Sequence, residues 1–337
     1  MDPRLANEST QAPHGTRTIC PRGTRTICLP FEPHLYPSLV ADPVAFRAAF
    51  DAQFLHVGWD LVKDIVKSDL LGRSQRRSFG QVRCIAIDEI AIRKGHRYMT
   101  VVVDLDSGEV LFTAEGRDHE CLKPFFERLK QAGASLQAIA VDMSASYRKA
   151  IDLYAPKDVV VVHDHFHLIA LMNEGVDEVR RDEQNRLEGE GKKVVKGSRY
   201  LLLRAQENLV QEPQKQKRLD DLLEANSLLN TVYLLKEDLR LLWSQHSKQD
   251  ARCFLEGWLV NARSVGDVHL SRFADTVEGA TESILAWYDY PISTGPLEGL
   301  NNKIKVLKRM AYGFRDQVFF GLRLLFLHET KFRLSGM

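Results

Sequence analysis

Apolar and polar residues change period several times along the chain, and each change predicts a different kind of structure. From about Pro43 to Arg73 the period is helical, and "GWDLVKDIVKSDL" sets Trp59, Val62, Ile65 or Val66, and Leu70 along one side. So short a helical piece buries little alone and has to pack on something larger. Next, "VRCIAID", "YMTVVVDLDSGEVLFTAEG" and "LQAIAVD" read as four strands, the middle two joined by a turn at Asp106, Ser107 and Gly108. Between the third and fourth, Leu122, Phe125, Phe126 and Leu129 make a helical stripe that ends at Gly133. A fifth apolar run, "DVVVVHD", follows a short helix around Ser146 to Leu153. A meander continued by a crossover unit predicts a mixed α/β fold.

From about Phe166 to Tyr288 the pattern is almost entirely helical, in "YLLLRAQENL", "LDDLLEANSLLNTVYLLKEDLRLLW" and "CFLEGWLVNA". A stretch this long is no loop, so it is a helical insertion or a second domain. The mixed charges of 177–199 read as solvated helix faces. Trp243, Trp258 and Trp287 sit on helical stripes, which favours core packing over base stacking. The last clear helix is "GPLEGLNNKIKVLKRM", residues 295–310, whose Leu297, Leu300, Ile304 and Leu307 form one apolar stripe. Glu298 lies near its positive end, beside a face holding Asn302, Lys305 and Arg309. Taken alone, that is a helix-start glutamate ahead of a solvated basic face. The first forty residues have no such period: "GTRTIC" occurs at 15–20 and again at 23–28, a repeat too short for a solenoid unit, and the segment is expected to be disordered.

Composition changes the picture at a few points. The net charge of +1 creates no global basic field, so affinity for nucleic acid has to be local. One local patch runs from Gly299 to Arg333, where Lys and Arg greatly outnumber Asp316 and Glu329. No apolar run is long enough to span a bilayer and no secretory signal is visible, so the expected compartment is the cytoplasm, without membrane contact. The five cysteines, at 20, 28, 84, 121 and 253, include no CxxC pair and suggest neither a zinc knuckle nor a disulfide framework. Cys84 and Cys121 read as small core residues.

Two strands end in aspartate, Asp88 and Asp142. A right-handed crossover can bring such strands parallel and adjacent, with both acids on one sheet edge. There they repel unless a cation lies between them, and Mg²⁺ suits carboxylate oxygens. A third carboxylate from a later helix would complete a two-metal site for phosphodiester chemistry, and Glu298 is the candidate. Turn chemistry at a strand end accounts for either aspartate singly. In "HDHFH", His163, His165 and His167 alternate as strand neighbours do, which admits a zinc site, but helical character begins at Phe166 and no further ligand is in view.

The words "IDEIAIRKGHRYMTVVVDL", "KGSRYLLLR.QENL" at 196–209 and "STGPLEGLNNKIKVLKRMAYGFRD" closely resemble the DDE-type transposases of bacterial insertion sequences, in particular the ISL-three (ISL3) family, over roughly residues 57–333. The resemblance implies an RNase H-like (ribonuclease H-like) mixed-sheet core interrupted by a large α-helical insertion. On that reading residues 81–170 are the first part of the core, 171–288 the insertion and 289–337 the closing helical part. It implies Asp88, Asp142 and Glu298 as the catalytic, metal-binding triad for two Mg²⁺ (or Mn²⁺) ions, with Asp88 bridging. Asn302, Lys303, Lys305, Lys308 and Arg309 are then the side chains for DNA phosphates. The implied partners are double-stranded DNA at transposon ends and target, and further copies of the chain in a homo-oligomer.

The family's Asp-Arg-Phe-His word maps onto Asp164, His165, Phe166 and His167, with His165 in place of the arginine; Asp164 and His167 are expected to support the metal site. Relatives also carry an N-terminal zinc finger and helix-turn-helix modules. Here the cysteine cluster is missing, and residues 41–80 resemble only the tail of the second helix-turn-helix. Besides an active transposase, the sequence therefore allows a truncated, non-catalytic copy that inhibits by binding DNA or joining intact subunits. A stand-alone RNase H-like nuclease fits the triad but not the family words in the insertion.

Overall fold

The computed structural model describes residues 58–93, 97–209, 211–310 and 315–329; the tandem repeat and residues 43–57 of the first helical segment lie outside them. Among the described residues five strands form one sheet in the order β3-β2-β1-β4-β5. They are β1 (Cys84–Arg93), β2 (Arg97–Asp104), β3 (Val110–Glu115), β4 (Ala138–Val141) and β5 (Val160–His163). The first three pair antiparallel as the meander predicts, while β4 and β5 join β1 in parallel. The turn at Asp104–Gly108 is tied by the Asp104 carboxylate, which accepts from Ser107, and Gly108 takes φ of +72° there, a conformation that favours glycine.

Alternation along the strands assigns the two faces of the sheet. The first helix is α1 (Trp59–Gln75), and Ile85, Ile87, Ile139 and Val141 pack under a layer of two later helices, α2 (Lys123–Gln131) and α3 (Ala145–Tyr154), where Phe125, Phe126, Leu129 and Tyr147 are buried. Ala86, Ile90 and Ala140 face the other way, into a core shared with Leu297, Ile304 and Leu307, with Phe320 and Leu324, and with Leu70 of α1. Of the two alternatives on α1, Val66 turns to this core and Ile65 is left exposed.

The helices after β5 are α4 (His165–Arg186), α5 (Gly189–Val195), α6 (Arg199–Leu203), α7 (Pro213–Ala225), α8 (Ser227–Arg240), α9 (Lys248–Ser264), α10 (Val268–Gly279) and α11 (Thr281–Leu285). They bury a separate cluster running from Leu168 to Leu285. Trp258 lies within it and donates to the Leu235 carbonyl at 2.8 Å, as core packing requires of a buried indole. The chain returns to the sheet with α12 (Gly295–Met310) and α13 (Gln317–Leu325).

Two expectations need correction. The strand expected to end at Asp88 continues to Arg93, because antiparallel pairing with β2 carries on after β4 has stopped. The His163, His165 and His167 alternation fails as well: His163 closes β5, while His165 and His167 already belong to α4. Cys84 and Cys121 are only half-buried, and the Cys121 thiol donates to Thr100.

Candidate active site

Register builds the site. In the parallel ladders Ile87 pairs with Val141 and Val141 with His163, so the next residue on each strand, Asp88, Asp142 and Asp164, forms one row across three adjacent strands. Strand neighbours lie about 4.8 Å apart, which sets the three aspartate backbones along one line. Alternation turns Asp88 to the side of Ala86 and Ile90, the face that α12 covers.

Two side chains fasten α12 to this row. Asn301 donates through Nδ2 to Asp88 Oδ2 at 3.1 Å, and Thr294, just ahead of the helix, donates through Oγ1 to Asp164 Oδ2. Leu297, Ile304 and Leu307 are buried as their spacing predicts, so the same stripe that makes the core aims Asn301 at the acid. Between the two anchors, on the exposed flank of α12, stands Glu298. Among the described residues no three His, Cys, Asp or Glu side chains stand close enough to form a metal cage. Asp88 and Asp142 are brought together; Glu298 is brought to the same helix turn as Asn301 without joining them.

The electrostatics of the row are unfavourable as it stands. Burial pushes both the Asp88 and the Asp142 carboxyls above the usual range for aspartate. Backbone N–H groups of Glu89 and Ser144 and the nearby His167 oppose that shift, whereas Asp164 raises Asp88 further, and Glu89 and Asp88 raise Asp142. Asp164 is 1% exposed, and its Oδ1 and the Oδ1 of Asn301 are buried with no hydrogen-bond partner. Oxygen atoms without donors beside repelling carboxyls are a donor set suited to a hard divalent cation. His167 stands 3.9 Å from Asp164, and His165, its ring against Phe166 and Trp243, is pushed down in pKa by burial.

Residues 85–324 match the ISL3 family model, described as transposase. The chain belongs to the ISL3 family of DDE transposases. The transposase for insertion sequence element IS1001 of Bordetella parapertussis is 39% identical over 277 residues, 81% of this chain and 68% of that relative. The transposase for IS1557 of Mycobacterium tuberculosis is 29% identical over 312 residues, 84% of this chain and 69% of that one.

In this insertion-sequence transposase, whose work is DNA transposition, the basic face of α12 is only partly available for DNA. Asn302, Lys303, Lys305 and Arg309 are exposed, but Lys308 donates to the Ala91 carbonyl at 2.7 Å and burial lowers its pKa. Asn301 and Thr294 were not singled out by sequence reasoning. A polar residue interrupting the stripe between Leu297 and Ile304 was the available sign for Asn301. No helix among the described residues is long and apolar enough to cross a membrane.

Proposed function

We propose that the transposase cuts and joins transposon-end DNA at the Asp88–Asp142 edge of an RNase H-like core, with Glu298 as the third carboxylate and two Mg²⁺ or Mn²⁺ ions as cofactors. The observation that carries this reading is the row of Asp88, Asp142 and Asp164 across three parallel strands, covered by the helix that bears Glu298. The strand order, with three antiparallel strands continued by two parallel ones, supports the fold assignment. When bound, the ions would activate the attacking oxygen and stabilise the leaving one.

The chain's own residues have separate tasks. Asp88, at the β1 end of the row, would hold both ions, and Asp142 and Glu298 would each hold one. Asn301 holds Asp88 in place through Oδ2, and Thr294 does the same for Asp164. Asp164 and His167, 3.9 Å apart, form a supporting pair beside the row. Asn302, Lys303, Lys305 and Arg309 receive the phosphate backbone, and Lys308 first positions α12 on β1. Copies of the chain assemble on DNA so that paired ends meet one target.

The test is Mg²⁺- or Mn²⁺-dependent nicking of DNA carrying the element ends, wild type beside Glu298→Gln. Boundary nicking that vanishes in the variant supports the triad; equal nicking by both removes Glu298 from it.

A further inference from the structure

The word "KGSRYLLLR" plays no part in the catalytic row, yet it builds a distinctive surface on the insertion. The α5–α6 turn and the start of α7 enclose a cleft of about 580 Å³ lined by Gly197, Tyr200, Leu201, Arg204, Lys215 and Arg218. Its two walls, residues 192–204 and 213–219, hold eight Lys and Arg and no acid. Glu212, between the walls, neutralises part of this charge by pairing with both Arg204 and Lys215, and Asp177 pairs with Arg199. Arg218 in the cleft lining, and Lys196 and Lys217 next in sequence to the lining residues Gly197 and Arg218, have no carboxylate partner among the described residues and are exposed.

The cleft is held in shape rather than draped over the surface. Arg218 donates to the Lys196 carbonyl at 3.1 Å and lies over Gly197, whose φ of +74° makes the turn. Buried Lys236 donates to the carbonyls of Leu202 and Arg204, 2.7 Å each, and fixes the far end of α6. On that fixed rim Tyr200 is 73% exposed, with the Arg199 guanidinium 5.8 Å from its ring centroid.

We propose that this cleft is a second DNA contact, distinct from the catalytic edge: it takes the phosphate backbone of a duplex, with Lys196, Lys217 and Arg218 on phosphates and Tyr200 against the neighbouring sugar, its hydroxyl donating to a phosphate oxygen. Charge complementarity argues for this occupant, because the exposed cations Lys196, Lys217 and Arg218, which have no carboxylate partner among the described residues, match a polyanion. The proposal rests on the chain acting on DNA and not on the identity of the catalytic triad.

The experiment measures binding of the full chain to a 30-bp duplex by fluorescence anisotropy in EDTA, over a salt series, so that loss of metal chemistry cannot mimic the result. Lys196→Gln/Lys217→Gln/Arg218→Gln is expected to flatten the plot of log affinity against log salt by about 2 to 3. Tyr200→Ala is expected to weaken binding several-fold with the slope unchanged. Arg252→Gln/Arg263→Gln, an equal-sign charge loss elsewhere on the insertion, is the control. An unchanged slope in the triple variant, or the same change in the control, overturns the proposal. So does an unchanged slope accompanied by a shift in oligomeric state on light scattering, which would make the face a contact between copies. Preference for single-stranded over duplex DNA, lost in Tyr200→Ala, would overturn the duplex assignment.

Discussion

The sheet edge and the helical insertion bury charge in opposite ways. In the insertion each buried charge meets its opposite: Asp177 takes Arg180, Arg181 and Arg199, Glu183 takes Arg186 and an Asn226 amide, and Lys236 takes Glu237 and two carbonyls. At the sheet edge like charges are set in a row, with the Asp88 and Asp142 carboxyls pushed up in pKa by burial and Asp164 Oδ1 left without a hydrogen bond. Paired burial holds a structure together, whereas unpaired like charges destabilise it and are retained where chemistry uses them. On the proposed function, the edge is the working part and the insertion's interior is scaffold.

Four substitutions test that contrast. Asp142→Asn at the edge is expected to lower end cleavage by at least about 1000-fold, or about 4 kcal/mol in the barrier, with the metal-free fold unaltered by circular dichroism. Retained cleavage would break the comparison at its main point. In the insertion, Lys236→Met strands two carbonyls and Glu237, and urea unfolding should show a loss of about 3 kcal/mol.

Asn301→Ala should cost about 1.5 kcal/mol of stability, and a double-mutant cycle with Asp88→Asn should return coupling of about 1 kcal/mol, since the two side chains touch. Additive effects would mean that Asn301 does not hold Asp88. The smallest effect has the opposite sign. Because the folded Asp88 pKa is raised, the stability this carboxyl contributes is complete below its unfolded value of about 4 and is lost as pH rises through the folded value. Neutral Asp88→Asn should therefore be more stable than wild type at pH 7 in EDTA, and no more stable below about pH 4. Added Mg²⁺ should raise the wild-type midpoint and not that of the variant.

Much of the fold was legible because its signals are local. The stripe Leu122, Phe125, Phe126 and Leu129 is buried as its period demands, and "AIAV" is a wholly buried strand of the parallel sort. The site was legible in part. Asp88 and Asp142 stood out as acids closing apolar runs, but Asn301 was hidden among leucines and Thr294 before a glycine, since neither residue type announces a partner distant in sequence. Lys308 was read with the basic face, and only its contact with Ala91 separates it from Lys305.

By itself, the sequence determined the periods, and so which segments are strands or helices, which side of α12 is apolar, and that acids follow apolar runs. Tertiary structure alone decided that β1 runs past Asp88, that Asp88, Asp142 and Asp164 share one row, and that Tyr200 stands at the rim of a cleft. The reason is physical: burial period is a property of a few successive residues, whereas register, and the side chain found on the other end of a hydrogen bond, depend on which distant segments pack together.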